Sequence, residues 1–266
     1  MPWYPNVIPL FYHLNDGFAN FPGSSIIGSL GFTDTRLATA DRRSGIIEDD
    51  EFLNQVQTNS GVQATVDIEI QRNFDPGTRE LTASFNFTAM EDLTGYYKFN
   101  AVLAADSVLC TYYTNTYRYW AVRSMMNGAL GEDLVNGNWN KNEQITKTLT
   151  YTIPAGSPAI IPENSEIIVY VYAVGSPLNS AANIQQAERV SLITPVFDAE
   201  INKLSTDIIA ENSQPVQFSV EIENRGEAGD SYTIEMLFEG PVAWGASFTT
   251  ESGTFTPGQT ASVTVD

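Results

Sequence analysis

A single cysteine, Cys110, and a single histidine, His13, stand in 266 residues. One thiol excludes an intrachain disulfide, a Cys-x-x-Cys redox pair and a four-cysteine zinc site. One imidazole excludes multi-histidine metal sites and leaves room for at most one histidine-based triad. Basic residues are scarce as well: 13 Lys and Arg face 32 Asp and Glu, a formal charge of −19. Counterion release needs clustered cations on the protein, so nucleic acid is an unsuitable partner. Anionic lipid surfaces are unsuitable for the same reason. No apolar run approaches the ~20 residues of a membrane-spanning helix. Hydrophobic residues nevertheless make up 42% of the chain, which excludes wholesale disorder. The length suits two or three domains of roughly 100–150 residues.

No basic-then-apolar leader opens the chain, and Gln259–Asp266 reads as a strand that stops without a terminal turn. A piece trimmed at both ends is expected, with an open sheet edge at Asp266. Between the ends lie three segments. Residues 1–60 read as a small α/β unit. Val7–His13 is a short apolar run expected as a strand buried on both faces, Ser24–Gly31 a short helix ended by glycine, and Leu37–Ala40 a weak strand. Ile46–Val56 is expected as a helix with acids early in it, where they favour its dipole.

Residues 61–195 change character. From Val62 to Gln71 apolar and polar residues alternate strictly, which predicts a strand with one solvated face. The pattern returns after the turn signal Asp75-Pro-Gly-Thr78, at Leu81–Thr88, and at Ile145–Thr152 with an exposed threonine row, and Gly95–Ala105 makes a further strand. Ile167–Tyr172 is apolar on both faces and belongs at the centre of a sheet. Strands of this length with turn punctuation predict an antiparallel β-sandwich. Residues 196–266 repeat the logic at Val216–Glu223, with Asn224–Asp230 read as a hairpin to Tyr232–Phe238. The fold class expected is mainly β, with β-sandwich domains in tandem. The last one, immunoglobulin-like, is too short to be complete.

Few residues carry candidate chemistry. His13 has Asp16, Ser24 and Ser25 nearby, but no Gly-x-Ser-x-Gly elbow or oxyanion-hole motif accompanies it, so it reads as a structural histidine. Glu48–Glu51 is a run of four carboxylates without the spacing of a calcium loop, and reads as a solvated helix start. Cys110 alternates with Val108 on a strand and reads as a small buried hydrophobe. The most aromatic stretch holds Tyr112, Tyr113, Tyr117, Tyr119 and Trp120, with Arg118 and Arg123 interleaved. Aromatics with arginine make binding hot spots and carbohydrate-stacking surfaces. The competing reading is a long connection that buries its rings over one end of the sandwich. Asp106-Ser107-Val108 fits an O-glycosylation tripeptide at Ser107.

Arg72–Thr82, Asp92–Tyr97, Val102–Asp106 and Tyr119–Glu132, the last with its Arg…Gly…Gly-Glu spacing, resemble the central β-domain of outer-membrane-protein-28-related proteins of Bacteroidota. Ile8–Asp16 is similar to the second strand of the thioredoxin-like domain that often precedes it. The resemblance covers about residues 5–195. It implies export, a partial thioredoxin-like unit over 1–60, and immunoglobulin-like repeats and a sorting domain in longer members. Only six residues precede Val7, so the first strand and Cys-x-x-Cys of a redox-active thioredoxin fold are not in this chain. The expected protein is therefore exported and non-catalytic, without cofactor or metal, at the cell surface or outside it. It is expected to act in attachment or extracellular assembly, with a surface protein, a glycan or copies of itself as partners. The alternatives are a thiol oxidoreductase whose motif lies upstream, and an accessory carbohydrate-binding module.

Overall fold

A computed structural model describes residues 7–12, 23–34, 37–48, 51–110, 116–156, 159–194, 199–203, 218–233 and 252–265. The chain divides into two compact units, Met1–Ile193 and Thr194–Asp266. The first unit thus contains both the N-terminal sixty residues and the sandwich.

Its elements, in chain order, begin with helix α1 (Gly23–Leu30), strands β1 (Leu37–Ala38) and β2 (Ile47–Glu48), and helix α2 (Phe52–Asn59). There follow β3 (Val66–Asp75), β4 (Glu80–Ala89), β5 (Leu93–Ala105), β6 (Val108–Cys110), β7 (Thr116–Arg118) and β8 (Ala121–Met125). The unit closes with β9 (Glu132–Trp139), β10 (Gln144–Thr152), β11 (Ser165–Ala173) and β12 (Ile184–Ser191). One antiparallel sheet has the order β10-β4-β3; the other has β12-β11-β5-β8, with β9 also paired to the long β5.

The alternating strands bury their apolar rows between these two sheets. Phe85, Phe87 and Phe99 form an aromatic triangle with centroids 5.1–6.4 Å apart, and Trp139 meets Tyr97 edge-on at 6.2 Å. The apolar run in β11 explains the third layer. Ile167, Val169 and Val171 face the sandwich core, whereas Ile168, Tyr170 and Tyr172 face the other way. That outer face is covered by Ile26 and Leu30 of α1, with Ile8, Leu10 and Tyr12 packed beside them. Gly31 follows α1 with φ 73, the left-handed stop the sequence signalled.

Arg42 enters this second core. It is 3% exposed, donates Nη2–H to the Tyr170 hydroxyl at 3.1 Å, and lies over the Tyr172 ring at 4.5 Å. The tyrosine rings supply the cation–π attraction that a buried guanidinium needs in place of water. Burial is the main reason that the Tyr172 phenol is pushed up to about 12.

Three boundaries differ from the sequence reading. Val7–His13 is not a doubly buried strand over its described part: Phe11 makes one parallel bridge to Ala121 and is 54% exposed. The alternation from Val62 becomes a strand only at Val66, and Val62 itself is exposed. The acidic helix starts at Phe52, because Ile47-Glu48 pairs with Leu37-Ala38 instead.

The first hairpin folds as its turn signal requires. Asp75 accepts hydrogen bonds from Gly77 N–H at 2.8 Å and from the Thr78 hydroxyl at 2.9 Å. The Thr78 bond, then the Gly77 bond, hold this exposed carboxyl below the usual carboxylate range. A depressed folded-state pKa gives stability that is fully present above the unfolded value and is lost as acid protonates the group. Asp75→Asn is therefore expected to destabilise the protein at neutral pH, and to do so less at an acid pH below the usual aspartate value of about 3.9. Urea titrations at the two pH values check this; an equal difference at both would contradict it.

In the second unit the strands are β13 (Ala199–Lys203), β14 (Phe218–Asn224), β15 (Asp230–Thr233), β16 (Ser252–Phe255) and β17 (Thr260–Val265). The sheets are β13-β14-β17 and β15-β16, all antiparallel. The expected hairpin between β14 and β15 does not form, since the two belong to different sheets. Asn224 is the reason: fully buried, it donates to the carbonyls of Ala228 and Phe255 and accepts from Gly226 N–H, folding residues 224–230 into a crossing.

Candidate functional site

The region singled out in the sequence lies where β5 ends. Ser107, at φ 53, turns the chain into β6, and β6 pairs with β7 as a short ribbon, with Leu109 opposite Tyr117. Both are exposed, Tyr117 at 58%, and Tyr119 follows at 54%. Trp120 then takes φ 56 and turns inward, half-buried, with the Arg189 guanidinium 4.5 Å over its ring. Its carbonyl accepts the Phe11 N–H at 3.1 Å.

The expected residues therefore separate. Tyr117 and Tyr119 are both exposed, whereas Trp120 packs against the second core. Arg118 lies in β7 opposite Val108. Tyr112 and Tyr113 lie outside the described residues. Arg123 must be corrected: it is 2% exposed and belongs to the interior, not to a recognition surface. All five residues of β8 are buried, and the register shift between Leu103 and Ala104 leaves Arg123 as the extra residue of a bulge. Burial holds its pKa below the usual arginine value.

The Arg…Gly…Gly-Glu spacing around it serves structure. Asn127 accepts the Ala101 N–H and donates to the Phe99 carbonyl, and Asn100 donates to the Gly128 carbonyl. A Cβ at Gly131 would run into the Phe99 carbonyl, so only glycine fits there.

Beside the ribbon, and missed by the sequence reading, is a polar cleft of about 160 Å³ lined by Asp106, Ser107, Glu163, Asn164, Glu166 and Ser191. Asp106 Oδ1 is buried there without a hydrogen bond. Glu166 Oε2 stands 3.6 Å from Arg189 Nη1, outside hydrogen-bond reach. Burial holds the Glu166 carboxyl above the usual carboxylate range; Arg189 pulls it back and Asp106 pushes it further up. Asp106 Oδ1 thus lacks a donor, while Glu166 Oε2 has Arg189 as its ion-pair partner, and the polar lining of the cleft suits a ligand that brings hydroxyl or amino hydrogens. Among the described residues no three acidic, histidine or cysteine side chains converge to hold a metal ion. The cleft draws on strand ends and a 3₁₀ turn far apart in sequence, and no local signal could have revealed it.

His13 and Asp16 lie outside the described residues, as do Asp49 and Asp50 of the acidic run. Ser24 lies in α1 and Glu48 in β2, and Cys110 ends β6.

No protein-family model matches the chain, and no curated protein matches it. Among solved structures it is similar to HBP35 of Porphyromonas gingivalis, with a TM-score of 0.55 over 82% of each chain at 12% identity. At that identity the likeness is one of fold: this chain shares the mainly β architecture of a protein from the Bacteroidota.

Proposed function

We propose that this is a non-catalytic protein of the bacterial exterior that attaches its owner to a surface protein or glycan. It does so through the β6–β7 end of the first unit. The observation that carries the reading is the exposed Leu109–Tyr117 pair with Tyr119, next to a polar cleft lined by Asp106, Glu163 and Glu166. Rigid tyrosines offer contact area at low entropic cost, and their faces stack on the C–H faces of sugars. The cleft acceptors suit hydroxyl donors, and a net charge of −19 disfavours anionic polymers. The fold likeness to a Bacteroidota protein and the resemblance to outer-membrane-protein-28-related sequences support an exported location. No helix among the described residues is long and apolar enough to cross a membrane. Kinship of the N-terminal segment with thioredoxin-like domains remains part of the proposal.

The test is a screen of the immobilised full chain against neutral and charged glycans and extracellular-matrix proteins. Saturable binding to a neutral glycan or a matrix protein is expected. Absence of saturable binding to any of them would overturn the reading.

A further inference from the structure

Among the described residues β1 and β2 pair only with each other, so no ladder ties residues 37–48 to the sandwich. Ala40 and Ile47, though buried, join neither of the two larger apolar cores. What reaches the second core from this segment is a turn. Arg43 N–H donates to the Ala40 carbonyl at 3.0 Å, and the two residues between take φ 51 at Asp41 and φ 53 at Arg42. Two left-handed residues in succession make the kind of turn that Asn-Gly fills without strain; arginine in that conformation is an outlier. Asp41 stays exposed at the tip, while Arg42 passes inward to 3% exposure.

A corner of two rings receives Arg42. Tyr170 and Tyr172 stand with centroids 6.1 Å apart at 44°, and the guanidinium carbon lies 5.2 Å and 4.5 Å from them. Nη2–H donates to the Tyr170 hydroxyl. Ile184, the cross-strand neighbour of Tyr172, donates its N–H to the Asp41 carbonyl at 2.9 Å and accepts from Arg43 Nη2 at 3.0 Å. Three costs oppose these contacts. Nη1 is buried without an acceptor, no carboxylate among the described residues pairs with the cation, and the backbone is strained. A layer held in this way opens before the core it covers.

We infer that the Tyr170–Tyr172 corner is a guanidinium-binding site which the chain fills with its own Arg42, so that residues 40–43 act as a releasable latch. The shape of the corner selects its ligand. A planar, weakly hydrated cation stacks on the rings and still gives one N–H to the Tyr170 hydroxyl; an ammonium makes fewer of these contacts. Opening the latch bares the corner to another alkylguanidinium, the group that an arginine side chain carries. The site lies on the α1 side of the second sheet and is independent of the attachment reading, which Tyr117 and Tyr119 carry.

Hydrogen exchange of the full chain reads the latch, with ethylguanidinium as the probe. Glycine takes φ 53 without strain, so Arg42→Gly removes the guest and keeps the turn. Exchange over residues 37–48 is expected to quicken at least about tenfold in this variant, with β4 and β5 still protected. Ethylguanidinium, raised to about 10 mM, is expected to restore protection along a saturating curve. Wild type should not respond, because its tethered guest already competes at an effective concentration of millimolar order or above. Ethylammonium is expected to protect less, and Arg42→Gly/Tyr172→Leu, which lacks the closer ring, should not be rescued at all. Unchanged exchange in Arg42→Gly overturns the inference, as does loss of the whole fold in that variant. So does protection that fails to saturate, persists without Tyr172, or is matched by ethylammonium.

Discussion

Trp139→Ala is expected to destabilise the first unit by about 3–5 kcal/mol, at the top of the range for a single truncation. Trp139 is fully buried at the end of β9, edge-on to Tyr97, and its indole N–H donates to the Glu143 carbonyl at 3.0 Å. That bond ties β9 to the turn that starts β10, so the substitution empties core volume and loosens the link between those strands' ends. A cavity of that size in a close-packed core is relieved only in part by relaxation. For a unit of this length the melting point should fall by roughly 6–20 °C. Thermal unfolding followed by far-ultraviolet circular dichroism checks it; a shift of a degree or two would show that the β9–β10 end is not packed as described.

Ile26→Ala is expected to cost about 2–5 kcal/mol, in the same cooperative transition as the sandwich. Ile26 lies on α1, outside the sandwich, yet it is fully buried against the face that Val102, Ile168, Tyr170 and Tyr172 present. An eight-residue helix has little stability of its own, so burial of this face is what holds it in place. Hydrogen exchange decides between a layer and an appendage. If α1 is a layer of the same fold, Ile26→Ala speeds exchange throughout β11 as well as α1. Faster exchange confined to α1 would mean that the N-terminal segment folds apart from the sandwich.

The strands of the sandwich were legible because period-two burial is written residue by residue: Leu81, Ala83, Phe85 and Phe87 point inward as read. So was the central place of β11, since a run apolar on both faces can only be satisfied between two layers. What covered its second face was not legible, because α1 is short and its partners lie more than seventy residues away in sequence. The burial of Arg123 escaped for a related reason. Arginine reads as a surface residue, and only the bulge in β8 turns it inward. The break between β14 and β15 depends on the buried amide of Asn224, a residue type that signals a turn but not its direction.

The central claim is that ligand contact is made by Tyr117 and Tyr119. It is tested most directly by the dissociation constant of the screened ligand for wild type and for the Tyr117→Ala/Tyr119→Ala variant, with melting recorded for both. Both rings are more than half exposed, so the fold should not depend on them. Binding is expected to weaken by at least about tenfold, as when hot-spot aromatics are removed, at an unchanged melting temperature. Equal affinity in the two proteins would contradict the claim.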